Sequence, residues 1–286
     1  MAFEAVTRDW LDERTLAHDG ELLVVDKPCG VPVHGGGGSG DLVTALKRWL
    51  VAQGHDEYLG VHQRLDQDTS GVLLFARCRH VNRPLAEQLE SHRVHRTYLA
   101  AVGSDSLPAR GTLEHRLTEL RRVRVRVVRE GGRRAVTHYR VLQRAGGRAL
   151  VELRPETGRT HQLRVQLAAA GSPVAGDRLY GGEPAARLML HASELRVPVL
   201  RRRFRAPVPP EIAEWVRTGT TGLRSGAALA DVLRDAIWKR RTLAGSTEAY
   251  RLVNDMGDLA PGVVVDRYGS FAVLSLSSAE ALDRTD

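Results

Sequence analysis

Residues 63–71, Gln-Arg-Leu-Asp-Gln-Asp-Thr-Ser-Gly, set two carboxylates, Asp66 and Asp68, between Arg64 and a closing glycine, directly before the apolar run 72–76. Such a stretch can be an ordinary polar turn in which an aspartate bonds the local backbone. It can equally present a carboxylate for acid–base or nucleophilic work. Two other stretches bear on the choice. Residues 154–164, RPETGRTHQLR, crowd Arg159, His161, Gln162 and Arg164 onto a tight turn and the first turn of a helix. Residues 96–100, RTYLA, set Tyr98 on a strand inside an arginine-rich region. Burial alone would protonate an aspartate, and a paired arginine reverses that tendency.

Other chemistries have less support. The loop HGGGGSG, 34–40, lacks the correctly placed lysine and hydroxyl of a phosphate-cradling loop. The eleven histidines include His92 and His95 but no HExxH pattern and no cysteine partner, so no metal site is expected. No G-x-S-x-G elbow supports acyl transfer by serine. Cys29 and Cys78 have no paired spacing, so neither a disulfide framework nor a cysteine zinc site follows.

The 286 residues carry a formal net charge of +8, with 42% hydrophobic and 27% charged residues, which reads as a globular chain with a polyanionic partner. The charge is concentrated. Between Glu90 and Arg164 there are 17 arginines, no lysine and 7 acidic residues. Arginine suits phosphate, since its planar fork binds oxygens in pairs and stacks on bases. In RRVRVRVV, 121–128, alternation predicts one arginine face, carrying Arg122, Arg124 and Arg126, and one apolar face. The start MAFEAVTRDW lacks the features of a signal peptide, and no apolar run has membrane-spanning length, so a cytoplasmic location and no membrane partner are expected.

The elements that must position these residues follow from periodicity. Strands are predicted at 21–26, 72–76, 96–102, 121–128, across THYRVLQ and ALVELR, and at 189–197. Asp41 is placed to cap a helix with Leu42, Ala45, Leu46, Trp49 and Leu50 on its apolar face, and Thr160 to cap another running to Gly171. Strands on short turns with few helices between them predict an α+β fold around a mixed, largely antiparallel sheet. After a linker at 218–230, a helix with Leu229, Val232, Leu233, Ala236 and Ile237 on one face precedes a hairpin turning at Arg267–Ser270.

Taken together and in order, VVDKPCGVPVH, QRLDQDTSGVLLFA, RTYLAAV, RPETGRTHQLR, GSPVAGDRLYGG, MLHASEL and FRAPVP resemble the RluA-like family of pseudouridine synthases, over about residues 20–217. The resemblance implies the pseudouridine synthase fold in a catalytic domain at 1–217. It implies cofactor-free isomerisation of uridine in ribosomal or transfer RNA, with the target base flipped from its helix. It makes Asp66 the catalytic aspartate, Tyr98 the aromatic residue at the base and Arg164 the aspartate's partner. Gln63, Arg64, Thr69, Arg159 and His161, with the three arginines of 121–128, are the expected RNA contacts. Gln63 departs from the family's usual histidine before Arg-Leu-Asp. Residues 231–286, with EAYRLVNDMGDLAPGVVVDRYGSFAVLSL, resemble the segment before the catalytic domain of SAM-dependent large-subunit rRNA cytosine methyltransferases, as a small α/β fragment. Only about twenty residues precede the first strand and ten follow the hairpin. Target selection is therefore expected to rest on the catalytic domain or the C-terminal piece, and no methyl transfer by this chain is expected. The rival readings are a bifunctional RNA-modifying protein and a non-catalytic RNA-binding protein that kept the fold.

Overall fold

The computed structural model describes residues 10–35, 41–104, 106–120, 124–219, 227–240, 243, 247–254, 258, 260 and 262–277. Arg122 and the glycines of 36–40 lie outside them. Among the described residues ten strands build one sheet: β1 (Thr15–His18), β2 (Leu22–Lys27), β3 (Ser70–Ala76), β4 (His95–Val102), β5 (Arg110–Glu119), β6 (Val125–Val128), β7 (Arg133–Ala145), β8 (Arg148–Pro155), β9 (Leu190–Val197) and β10 (Arg202–Arg205). Their order is β1-β2-β3-β9-β4-β8-β7-β5-β6, with β10 beside β9. The β3–β9 pair is parallel and the other pairs are antiparallel, the mixed α+β architecture read from the sequence.

Central strands need cover on both faces, which is why β3 reads as an unbroken buried run. On one side α2 (Arg79–Glu90) sets Val81 and Leu85 against Leu22, Val24, Val72 and Leu74. Elsewhere α3 (Gln162–Ala169) and α4 (Pro210–Thr218) bring Leu163, Leu167, Ile212 and Trp215 onto Ala100, Val102, Val151 and Leu153. Each fully buried aliphatic side chain contributes about 1.5–3 kcal/mol, so these contacts hold the strand ends that carry the polar residues below.

β6 corrects the expected alternation. Val125 is buried against Leu117, Ala135 and Val165, but Val127 is 36% exposed. The strand is four residues long and lies at the sheet's edge, so its second valine has nothing to cover it. Thr160 is not a helix cap: its hydroxyl donates to Glu119 Oε1 at 2.8 Å, and His161 occupies the cap position.

The described residues fall into two compact units, Thr15–Cys29 with Tyr58–Thr221, and the described parts of Met1–Arg14, Gly30–Glu57 and Gly222–Asp286. This interleaved grouping differs from the linear division at 217 and 230. Its physical cause is visible inside the second unit. Trp10 stacks on Trp238 with ring centres 4.1 Å apart, and its indole N–H donates to Asp235 Oδ1 at 2.8 Å. Trp49, on α1 (Leu42–Ala52), donates to Asp12 at 2.9 Å. Asp41 caps α1 by accepting the Thr44 N–H at 2.8 Å, as its position predicts. α5 (Ala227–Lys239) begins within the stretch read as linker. Its Ala236 joins Val253, Ala260 and Val263 in a small core under the sheet β11 (Ala249–Asn254), β12 (Val263–Tyr268), β13 (Phe271–Leu276).

Candidate active site

The segment before β3 turns at residues 66–69, where the Thr69 N–H closes onto the Asp66 carbonyl at 3.1 Å. Gly71 then has φ +113°, and a Cβ there would lie 2.2 Å from the Ala192 carbonyl oxygen. Only glycine lets β3 approach β9 that closely and enter the sheet from this turn. The turn tip is held from beneath. Lys27, fully buried at the end of β2, donates its Nζ to the carbonyls of Gln67 at 2.8 Å and Pro28 at 2.9 Å. Burial pushes the Lys27 pKa down to about 7, against the pull of Cys29, Asp68 and Asp66.

The Asp66 carboxylate points across the unit. Its Oδ2 lies 3.3 Å from Arg164 Nη1, and the Asp66 side chain is 27% exposed. Arg164, on the first turn of α3, is gripped on its other edge by Asp177, with Nε to Oδ2 at 2.7 Å and Nη2 to Oδ1 at 2.9 Å. The Asp177 side chain is wholly buried. Burial works against the charge on Arg164, but the bonds and charge of Asp177, and then of Asp66, outweigh it and hold its pKa above the ordinary arginine value. Asp177 is fixed in turn by the Leu179 and Tyr180 N–H groups, at 3.0 and 3.2 Å. The preceding Gly176 has φ +77° and no room for a Cβ, which would meet the Arg187 carbonyl at 1.9 Å. The result is a rigid guanidinium with one edge neutralised and one amino group turned to Asp66.

Tyr98 projects from β4, 9% exposed. Burial raises its phenol pKa, Arg96 opposes this, and the charge of Asp66 adds to it, so the ring lies within the carboxylate's field. His161 sits at the N-cap of α3 in the left-handed conformation, φ +52°. Its Nδ1 is 2.9 Å from the Tyr180 hydroxyl and its Nε2 is 3.9 Å from Asp66 Oδ2. The Tyr180 ring lies under Arg164, 5.3 Å from ring centre to guanidinium carbon.

The other sequence-predicted residues divide. Arg64 is exposed and Gln63 half-buried, next to the turn. Thr69 is 2% exposed and serves the turn, which corrects its reading as an RNA contact. Arg159 is half-buried, with Nε 3.3 Å from the Arg134 carbonyl. Arg124 and Arg126 are exposed on either side of buried Val125. Arg116, Arg129 and Arg134 line a shallow groove over β5 and β6. Gln162 is buried and structural: its Oε1 accepts the Thr157 hydroxyl at 2.8 Å and the Arg159 N–H at 3.0 Å, shaping the turn before α3. Asp177, Lys27 and Tyr180 carry no mark in the sequence that sets them apart as site residues. Asp177 follows a glycine in a turn-forming GDRLYGG stretch, and a second carboxylate is what a buried arginine beside a part-open aspartate requires. Among the described residues no group of three or more His, Cys, Asp or Glu could hold a metal.

Residues 21–169 match the family described as RNA pseudouridylate synthase. The chain is 42% identical over 204 residues to the ribosomal large subunit pseudouridine synthase D of Xanthomonas campestris pv. campestris, covering 70% of this chain and 61% of that one. It is 40% identical, at the same coverage, to the protein of that name in Xylella fastidiosa. The chain thus spans less than two thirds of the length of these relatives. An uncharacterized RNA pseudouridine synthase of Zymomonas mobilis subsp. mobilis is 36% identical over 211 residues, 70% of this chain and 95% of that one. Among solved structures, human RNA pseudouridylate synthase domain containing 4 matches with a TM-score of 0.64 and 26% identity, over 74% of this chain and 95% of that one.

Proposed function

The chain belongs to the RNA pseudouridylate synthase family, and from that premise we propose that it isomerises uridine to pseudouridine in RNA, with Asp66 as the catalytic carboxylate and large-subunit ribosomal RNA as the first candidate substrate. The observation that carries the reading is the 3.3 Å contact between Asp66 and an Arg164 already neutralised on its far edge by Asp177.

The reaction breaks the N1–C1′ bond, turns the uracil, and joins C5 to C1′; the C5 proton leaves and N1 gains one, so nothing is consumed. A carboxylate must stay ionised close to the sugar and base. Arg164 sets a positive charge that cannot be titrated away 3.3 Å from the Asp66 carboxylate. The carboxylate can attack the sugar or the base, or take a proton from the ribose. Tyr98, kept as a phenol by burial, offers a ring face to uracil and an O–H at its edge. The target base must leave its stack, and exposed Arg64, two residues before Asp66, is suited to filling the gap or holding a phosphate. The arginines of β5–β7 supply the salt-sensitive, sequence-independent part of RNA binding. Ribosomal rather than transfer RNA is favoured by the names of the similar proteins. A cytoplasmic location belongs to the same reading; no described helix is long and apolar enough to cross a membrane.

For residues 231–286 we keep the likeness to the segment before a methyltransferase domain and assign an accessory role in RNA docking. The described strands there form an antiparallel three-stranded sheet, whereas a SAM-binding domain is built on a parallel one.

The test is to map pseudouridines in total RNA from cells with and without the protein. Loss of one or more sites on removal, restored by the wild-type chain, is expected; an unchanged map contradicts the proposal.

A further inference from the structure

His161 combines an unusual backbone with an unusual set of partners. A histidine with φ +52° is uncommon, and such backbone is retained where the surroundings over-determine it. Its side chain is 11% exposed. That does not suit the phosphate contact read from the sequence, which calls for an accessible, charged group. Burial lowers the His161 pKa; the charges of Asp66, Asp177 and Asp68 oppose this, that of Arg164 adds to it, and the net direction favours the neutral ring.

A neutral imidazole has one N–H, and its neighbours decide where it sits. The Tyr180 hydroxyl oxygen accepts the Val125 N–H at 3.1 Å and still has one hydrogen to give. Donated to His161 Nδ1, 2.9 Å away, it puts the imidazole proton on Nε2. Nε2 is the nitrogen that faces Asp66 Oδ2. The opposite tautomer would turn a lone pair toward a carboxylate oxygen. In the Nε2–H form every donor along Val125, Tyr180 and His161 meets an acceptor or a negative charge. At 3.9 Å the N–H acts on Oδ2 as a dipole that a small closure would turn into a hydrogen bond. Arg164 Nη1 meets the same oxygen. Oδ1 has no hydrogen-bonding partner among the described residues.

We propose that His161 is a positioning residue for the isomerisation: with Arg164 it holds the Asp66 carboxylate by Oδ2, leaves Oδ1 to the uridine, and has its own tautomer set by Tyr180. This rests on the function proposed above. It extends that function by giving the left-handed turn before α3 a task and by linking the Asp66 site to the backbone of β6, between exposed Arg124 and Arg126.

The test is single-turnover isomerisation at saturating RNA for His161→Ala, His161→Gln and Tyr180→Phe, together with nitrogen-15 NMR of the histidine rings in wild type and Tyr180→Phe. His161→Ala should lose roughly 10- to 100-fold in rate, the worth of one hydrogen bond to a charged group, with RNA affinity held within about threefold. His161→Gln, whose carboxamide can present an N–H near the same place, should recover most of the loss. Tyr180→Phe keeps the ring under Arg164 and should lose less than His161→Ala. The NMR spectrum should show the Nε2–H tautomer in wild type and a mixture in Tyr180→Phe. A wild-type rate in His161→Ala, a loss confined to affinity, or a folded His161→Gln as slow as His161→Ala overturns the proposal. So does an Nδ1–H tautomer in wild type. If wild type forms no pseudouridine the proposed function fails, while the ring spectrum still decides the hydrogen-bond relay.

Discussion

Arginine is used in two ways in this molecule. Arg164 is nearly buried, spans two carboxylates and has its geometry fixed on both edges. Arg126, Arg133 and Arg134 stand in solvent on β6 and β7. Arg134 pairs with Glu114 at 2.7 Å, where both side chains are more than half exposed. Exposed pairs of that kind contribute about 0–1 kcal/mol, whereas breaking a buried pair costs several times more. The same side chain is thus a fixed part of a reaction site in one place and a screened surface charge in the other. Burial decides which, and burial is a property of the fold.

The largest expected difference comes from Asp177. Asp177→Asn leaves a buried Arg164 with Asp66 as its one remaining anionic partner among the described residues, and should cost about 3–5 kcal/mol of stability. It should also lower turnover by about a hundredfold or more at temperatures where the variant is folded, because Arg164 can then swing. Chemical denaturation and single-turnover rates read the two effects. A variant within about 0.5 kcal/mol of wild type would erase the contrast between buried and exposed arginines.

Lys27 offers an intermediate effect, read through pH. Its folded pKa, about 7, lies below its ordinary value of 10.5. Below pH 7 both folded and unfolded chains hold the proton, and the full cost of burying the charge is present. Between pH 7 and 10.5 the unfolded chain binds more protons, so this group makes stability rise with pH, by at most about 1.4 kcal/mol per unit. Relative to Lys27→Met, wild type should therefore gain stability from about pH 7 to about pH 10. A flat difference across that range would mean that Lys27 is not held as described.

The smallest effect belongs to the exposed face. Arg124→Gln with Arg126→Gln should leave stability within about 0.5 kcal/mol. It should weaken RNA binding evenly across sequences and reduce the slope of log affinity against log salt by about one for each arginine that meets a phosphate. A changed single-turnover rate at saturating RNA, with an unchanged salt slope, would move these residues from the surface to the site.

Much of this was legible in the sequence, and the gaps have physical causes. Alternating and continuous apolar runs marked β2, β3, β4 and β9 within a residue or two, and Asp41 declared its helix. The pairing of Asp66 with Arg164, 98 positions apart, rested on a resemblance between ordered motifs rather than on periodicity. Asp177 lies within one of those motifs but is unmarked there, because nothing local shows that its carboxyl is buried against a guanidinium. Lys27 reads as the polar end of a strand; its burial depends on the turn that folds over it. Thr69 and Thr160 were misread for a related reason, since a hydroxyl's partner is chosen by what the fold brings near. β1, β5, β10, β11, α2 and α4 have no counterpart in the sequence reading. Trp10 on Trp238 joins positions far apart in the chain, and that stacking helps to make the described units interleave.

The most direct test uses the atom that the reaction must release. RNA carrying tritium at C5 of its uridines loses tritium to water when C5 replaces N1 on the sugar. Wild type should release one tritium for each pseudouridine formed. Asp66→Asn should release none above background, while binding the same RNA within about tenfold, since one carboxylate contributes little to phosphate binding. Release by Asp66→Asn at a rate comparable with wild type would contradict the account, and Asp66 would be a residue of the turn alone.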